Sequence, residues 1–293
     1  MDITEILAPY KERVEQNLRK TMPALGPKSR LRDACEYALL TGGKRFRPIL
    51  VYMIGDALGN KVDVTGAAMA VEYFHTASLI ADDLPCMDND DLRRNKPTLH
   101  KVYGEGTALL ATYALIAAGY EFLAKNSREI KQSKAPYLNS DQICVLALEN
   151  ATYNTGMHGA TGGQYLDINP ETLTKEAILE VIQKKTVSLF EISFVLGWLY
   201  GGGAINKLDK VKKAAAHFGT AFQIADDLDD MAQDEKNDRQ VNLAAILGVD
   251  CALSMFHEEI NSFQNLLSEL ELAASPLTNL SHFLSKQVTY CTL

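Results

Sequence analysis

The run 65–84, TGAAMAVEYFHTASLIADDL, is apolar almost all round a helix and ends in two aspartates. A helix without a polar face has to be enclosed by other helices, so this segment points to a bundle. Residues 107–125, 141–158, 174–199 and 207–232 carry similar helical patterning, and Thr174 with Glu176 marks one helix entry. Alternating β-branched strand patterns are absent. Gly and Pro punctuate the segments at Pro23/Pro27, Gly42-Gly43, Gly104/Gly106, Gly162-Gly163 and Gly201-Gly202-Gly203. The expectation is an all-α fold, a single domain over residues 1–293 with roughly ten or more helices.

Charge narrows the partners. Against 29 basic residues stand 37 acidic ones, a net charge of -8. This excludes a general nucleic-acid or anionic-membrane surface, so an anionic ligand has to be met by local cations or by metal. Five scattered cysteines without a CxxC pair fit a reducing, cytoplasmic setting. The polar N-terminus reads as neither signal nor transit peptide. No stretch approaches the roughly 20 uninterrupted apolar residues of a membrane span.

Two acidic clusters carry the chemistry. In LIADDLPCMDNDDLRRNKP, Asp82 and Asp83 close the buried helix, and Pro85 cannot continue it. The chain should bulge there and bring Asp88 back toward Asp82. An acidic loop after a helix end is an equally good reading of this cluster alone. In the second cluster Asp226 and Asp230 are four apart on one helix face, where like charges call for a counter-cation. Asp227 and Asp229 point elsewhere, and an exposed acidic face is the alternative. Carboxylates without a zinc pattern suit hard cations such as Mg²⁺, which keeps waters and takes phosphate oxygens.

Cations supply the other half. Gly42-Gly43-Lys44-Arg45-Phe46-Arg47-Pro48 sets three of them beside a Gly-Gly turn, where backbone can approach a phosphate. Arg93-Arg94 follows the first cluster. Lys185, beside Thr186, stands in an apolar helix, where it needs a partner. His75 lies two turns before Asp82, and Gln164 and Gln223 are polar groups on apolar segments; each also reads as a satisfied core residue. The composite is a deep helical cavity with acids, metal and cations at its mouth. It suits a diphosphate head on an apolar tail.

GGKRFRP at 42–48, DDLPCMD at 82–88 with DLRR at 91–94, GGQ at 162–164, KT at 185–186 and FQIADDLDD at 222–230 resemble, in this order, the motifs of the trans-isoprenyl diphosphate synthases. HTASLIADDLPCMDNDDLRRNKPT is especially similar to the geranylgeranyl diphosphate synthases of plants and bacteria. The resemblance implies an isoprenoid synthase-type helical bundle around a deep central cavity. It implies a head-to-tail (1′-4) condensation of isopentenyl diphosphate with allylic diphosphates (dimethylallyl, geranyl, farnesyl) in a homodimer. It further implies Mg²⁺, three ions per active site, on Asp82, Asp83 and Asp88 and on Asp226, Asp227 and Asp230. Lys44, Arg47, His75 and Arg94 match the isopentenyl diphosphate site. Arg93, Lys185, Thr186 and Gln223 match the allylic side, with Arg45 and Gln164 in support. Asp82, Asp83, Arg93, Lys185 and Asp226 would carry catalysis.

The chain departs from that pattern after Asp230, where MAQDEKNDRQVNLAAILG replaces a longer loop with Gly-Lys and a further Lys-Thr. Asn242 stands near the expected threonine, and Lys236 or Arg239 is the candidate replacement for a lost phosphate-binding lysine. Thr112-Tyr113-Ala114-Leu115 replaces Gly-Asp-Ala-Leu. Ala77 and Ser78, just upstream of the first cluster, are small and leave depth for a tail, which favours geranylgeranyl diphosphate over the alternative, farnesyl diphosphate. Tyr73, Phe74 and Tyr113 are the candidates for closing the pocket from elsewhere. A non-catalytic partner subunit is the rival of another class.

Overall fold

The computed structural model describes residues 3–133, 138–236 and 242–291, without the side chains of 232–236 and 289–291. Its elements are α1 (Ile3–Thr21), α2 (Arg30–Leu40), α3 (Phe46–Ala57), α4 (Thr65–Asp82), α5 (Leu99–Tyr103), α6 (Glu105–Gln132), α7 (Ser140–Thr155), α8 (Ala160–Ile168), α9 (Lys175–Val181), α10 (Ser188–Tyr200), α11 (Leu208–Lys236), α12 (Leu243–Leu247), α13 (Val249–Glu269) and α14 (Thr278–Cys291). A wide π turn, Ile182–Val187, joins α9 to α10. The fold is all-α, as the apolar helical runs require.

Two features were not legible in the patterning. One is a minimal hairpin, β1 (Leu92–Arg93) against β2 (Lys96–Pro97). Arg94 and Asn95 both take left-handed backbone, φ 55 and 61. Two such residues in succession make the reverse turn whose twist suits a hairpin. The other is Gly162-Gly163, which lies inside α8 and not between helices.

The residues cluster into two compact units. The first holds Met1–Glu149 and Leu199–Gly202. Its centre is α4 packed on α6, with Met69, Tyr73, Leu115 and Leu123 all buried. The residue before α4, Val64, offers no side-chain cap. Asn126 of α6 takes over: its Oδ1 accepts from Ala67 N at 2.9 Å, and its Nδ2 donates to the Asp63 carbonyl at 2.8 Å. Such a cap contributes about 1 kcal/mol. By length and composition α6 is the one helix among the described residues long and apolar enough to cross a membrane. One face of it, with Ala108, Ala111, Leu115, Phe122 and Leu123, is buried in this unit.

The second unit holds Asn150–Trp198 and Gly203–Leu293. Here α11 is the axis, packed by α13, α14 and the π turn. Phe190, Phe194, Phe218 and Phe263 meet in tilted and edge-on pairs 5.1–6.0 Å apart. Such geometry adds about 0.5–1.5 kcal/mol per pair beyond burial.

Candidate functional site

In the first unit, the end of α4 behaves as Pro85 dictates. The chain turns after Asp83, and Asp88 N donates to the Asp82 carbonyl at 2.9 Å. That closes a bulge with Asp82 half-exposed and Asp88 exposed. Asp83 turns the other way and is buried. Arg93 Nε donates to its Oδ1 at 2.8 Å, and the guanidinium also holds Asp90 at 3.0 Å. Burial raises the Asp83 pKa, and Arg93 draws it back down.

The Gly42–Arg47 segment separates its three cations. Lys44 is exposed. Arg47 places a guanidinium nitrogen 3.5 Å from His75 Nε2. Arg45 corrects the expectation of a substrate contact: it points into the core, where Nε donates to Glu15 at 2.7 Å and a guanidinium nitrogen pairs with buried Glu72. Burial opposes its charge, but Glu72 and Glu15 more than offset this and raise its pKa. Arg94 donates to the Gly42 carbonyl and lies over Gly43. A Cβ at Gly43 would meet the Arg94 nitrogens at 2.6 and 2.7 Å, and φ there is 130°. Space and conformation both demand glycine. Arg45, Asn89, Arg94 and Asn95 all have positive φ, so left-handed backbone concentrates around this cluster.

His75 is enclosed. Burial first, then Arg47, Arg94, Arg45 and Arg93, hold its pKa well below 6.5, so the imidazole is neutral at neutral pH. Only the unfolded chain takes up this proton as pH falls through about 6.5, so stability drops below that pH, by up to about 1.4 kcal/mol per pH unit. Urea melts at about pH 7 and pH 5.5 should therefore show His75→Gln losing less stability on acidification than the parent. Parallel losses in the two proteins would assign the acid sensitivity elsewhere.

On the tail-facing candidates, Ala77 is buried and Ser78 partly exposed. Tyr73 is occupied with Thr21 Oγ1 at 3.2 Å and the Phe122 ring. Tyr113 is 60 % exposed. Phe74, one turn before Ala77, packs on Tyr120 and into the space that Gly119 leaves.

In the second unit, Lys185 sits in the π turn and pairs with Asp167 of α8 at 2.5 Å. Thr186 Oγ1 donates to Gln223 Oε1 at 2.7 Å. Gln223 in turn donates to buried Asp227 at 2.7 Å, whose other oxygen accepts from Leu243 N at 2.8 Å. Asp226 is half-exposed and Asp230 exposed. Both amide atoms of Gln164 are buried without a protein partner among the described residues. An unmet amide of this kind costs about 1–3 kcal/mol and invites a polar ligand. The Lys236 side chain and Arg239 lie outside the described residues.

Sequence reasoning missed Asp167, Glu72, Glu15 and Asp90, the carboxylates that hold Lys185, Arg45 and Arg93. Two signals were present: Asp167 is three residues after Gln164 on one helix face, and Glu72 is a lone acid in an apolar run.

The donors at Asp82, Asp88, Asp226 and Asp230 are all carboxylate oxygens. Among the described residues no three acidic, histidine or cysteine groups converge into a closed cation cage. Carboxylate oxygens are donors that magnesium accepts, together with water and phosphate oxygens.

The fold is shared with solved structures. An FPP/GFPP synthase from Zymomonas mobilis superposes with a TM-score of 0.80 at 32 % identity, covering 95 % of this chain and 98 % of that one. A geranyltransferase from Legionella pneumophila gives 0.83 at 28 % identity, covering 98 % and 97 %. The chain belongs to the polyprenyl synthetase family, whose model matches residues 28–255. Among curated relatives, a heterodimeric geranylgeranyl pyrophosphate synthase large subunit 2 from Arabidopsis thaliana is 40 % identical over 74 % of this chain and 56 % of its own length. Geranylgeranyl pyrophosphate synthase 4 of the same plant is 39 % identical over 74 % and 57 %. The chain thus spans little more than half the length of these two relatives.

Proposed function

We propose that this protein is a Mg²⁺-dependent prenyltransferase that condenses isopentenyl diphosphate head to tail with allylic diphosphates and stops at geranylgeranyl diphosphate. The observation that carries the reading is the bulge after α4. It leaves Asp82 half-exposed and Asp88 exposed, while Asp83 anchors Arg93, which feels the charge of Asp82. Residues 1–293 act as one catalytic domain in this proposal.

Asp82 and Asp88, with Asp226 and Asp230, would hold magnesium, which when bound neutralises the charge that grows on the departing diphosphate. Arg93 and Lys185 add positive charge on the allylic side, each held in place by a carboxylate partner. Lys44, Arg47 and Arg94 bind isopentenyl diphosphate, and neutral His75 supports Arg47 without adding a competing charge. Phe74 and Ala77 set the depth available to the growing tail, because a bulky floor opposes elongation by overpacking. Farnesyl diphosphate remains the alternative product. The exposed Leu109, Leu110 and Tyr113 on α6 support pairing with a second copy in a homodimer. A reducing, cytoplasmic setting is part of the same proposal, on the five scattered cysteines without a CxxC pair.

The test is product analysis with the purified chain, Mg²⁺, isopentenyl diphosphate and the five-, ten- or fifteen-carbon allylic diphosphate, against an EDTA control. An EDTA-sensitive twenty-carbon product is expected. Ala77→Tyr should shorten it to fifteen carbons, and an unchanged product would remove Ala77 from the floor. No product from any starter would favour a non-catalytic partner subunit, a reading that the heterodimeric relative raises.

A further inference from the structure

We propose that Asp227 holds no cation and is instead the hub of a buried polar tie that fixes where the chain returns after the second acidic motif, with Gln223 and Asn242 as positioning residues. The tie begins at Thr186 in the π turn, which donates to Gln223 at 2.7 Å. Gln223 donates onward to Asp227 Oδ1 at 2.7 Å. Asp227 Oδ2 accepts from Leu243 N at 2.8 Å, and the Asp227 carbonyl accepts from Asn242 Nδ2 at 2.9 Å. Asn242 Oδ1 then accepts from Ala245 N at 2.9 Å and caps α12.

Two arguments set Asp227 apart from its neighbours. It lies about 100° round the helix from Asp226. To take a cation it would have to release Gln223 and the Leu243 amide, leaving buried donors without acceptors. Asp226 and Asp230 lie on another face of the helix and are exposed to different degrees. Asn242 is suited to the junction because one amide group both accepts the cap bond and donates to α11. The threonine expected near this position would have a single oxygen for both tasks. The role of the tie is to hold α12 and the face carrying Asp226 in register with Lys185 and Thr186. That role rests on the synthase reading; the tie itself does not.

The experiment compares the 293-residue parent with Asp227→Asn, Asn242→Thr and Asp226→Asn. Amide hydrogen exchange is read at Leu243 and Ala245, and thermal stabilisation by inorganic diphosphate is titrated with MgCl₂. Asp227→Asn and Asn242→Thr should speed exchange about tenfold or more while moving the Mg²⁺ midpoint less than about threefold. Asp226→Asn should raise that midpoint about tenfold and leave exchange at the parent rate. If Asp227→Asn raises the midpoint as far as Asp226→Asn does, Asp227 is a ligand and the proposal falls. Exchange at the parent rate in both tie variants also overturns it. Should Asp227→Asn fail to fold, Asn242→Thr decides through the same exchange reading. A parent that Mg²⁺ and diphosphate do not stabilise would count against the synthase reading, and exchange alone would then decide on the tie.

Discussion

Arg45→Met will destabilise this protein by about 3–5 kcal/mol, enough to unfold much of a typical domain population. The side chain is inaccessible to solvent, and Glu72, its main partner, is 1 % exposed. Arg45 also donates to Glu15 at 2.7 Å and to the Leu39 carbonyl at 2.5 Å. Methionine fills a similar volume, so little of the loss comes from packing. The loss comes from Glu72, whose charge would then sit in the core without its partner. Adding Glu72→Gln should therefore recover part of the stability, which a lost packing contact would not do. Urea melts of both variants measure this. A cost below about 1 kcal/mol for Arg45→Met would show that the pair is not what holds the Gly42–Arg47 segment. The effect should reach the site as well, because Arg45 anchors the backbone that presents Lys44 and Arg47.

The helical class was legible because an apolar surface all round Thr65–Asp82 has no other stable home. The bulge at Pro85 was legible too, since proline lacks the N–H that a continuing helix needs. What periodicity could not supply was direction. Lys44, Arg45 and Arg47 read alike as cations beside glycines, yet a positive φ at Arg45 sends that side chain inward to Glu15 and Glu72. Asp227 reads as pointing away from the face of Asp226 and Asp230, but periodicity does not say that it ends under Gln223 and against the start of α12. The hairpin was hidden for a related reason. Its turn is Arg94-Asn95, and arginine does not announce left-handed backbone as glycine does. The partners of Lys185 and Arg45 come from other helices, so only the packing identifies them. A lone charge in an apolar helix does, however, say that a partner must exist.

Gly163→Ala tests how tightly that packing is set. The glycine lies in α8 where it meets the π turn, and an added Cβ would stand 2.7 Å from both the Lys184 carbonyl carbon and Lys185 Cα, with Lys185 N closer still. All three are backbone atoms, so no rotamer change relieves the clash. The two segments must part by about 1 Å to reach ordinary contact. Lys185 is bound to Asp167 on α8, and Thr186 leads into Gln223, so the movement displaces the allylic-side cation and the polar tie together. Overpacking of this kind costs about 3 kcal/mol. A catalytic group misplaced by about 1 Å costs on the order of 100-fold in rate. We therefore expect both losses in Gly163→Ala, read by urea melts and by initial rates of the proposed condensation. Gly106→Ala is the control: it lies in the first turn of α6 with nothing within 4 Å of the added Cβ, and it should be neutral or stabilising by up to about 1 kcal/mol. A Gly163→Ala protein that melts and turns over like the parent would mean that α8 and the π turn tolerate separation, and that the glycine at 163 is not what places Lys185.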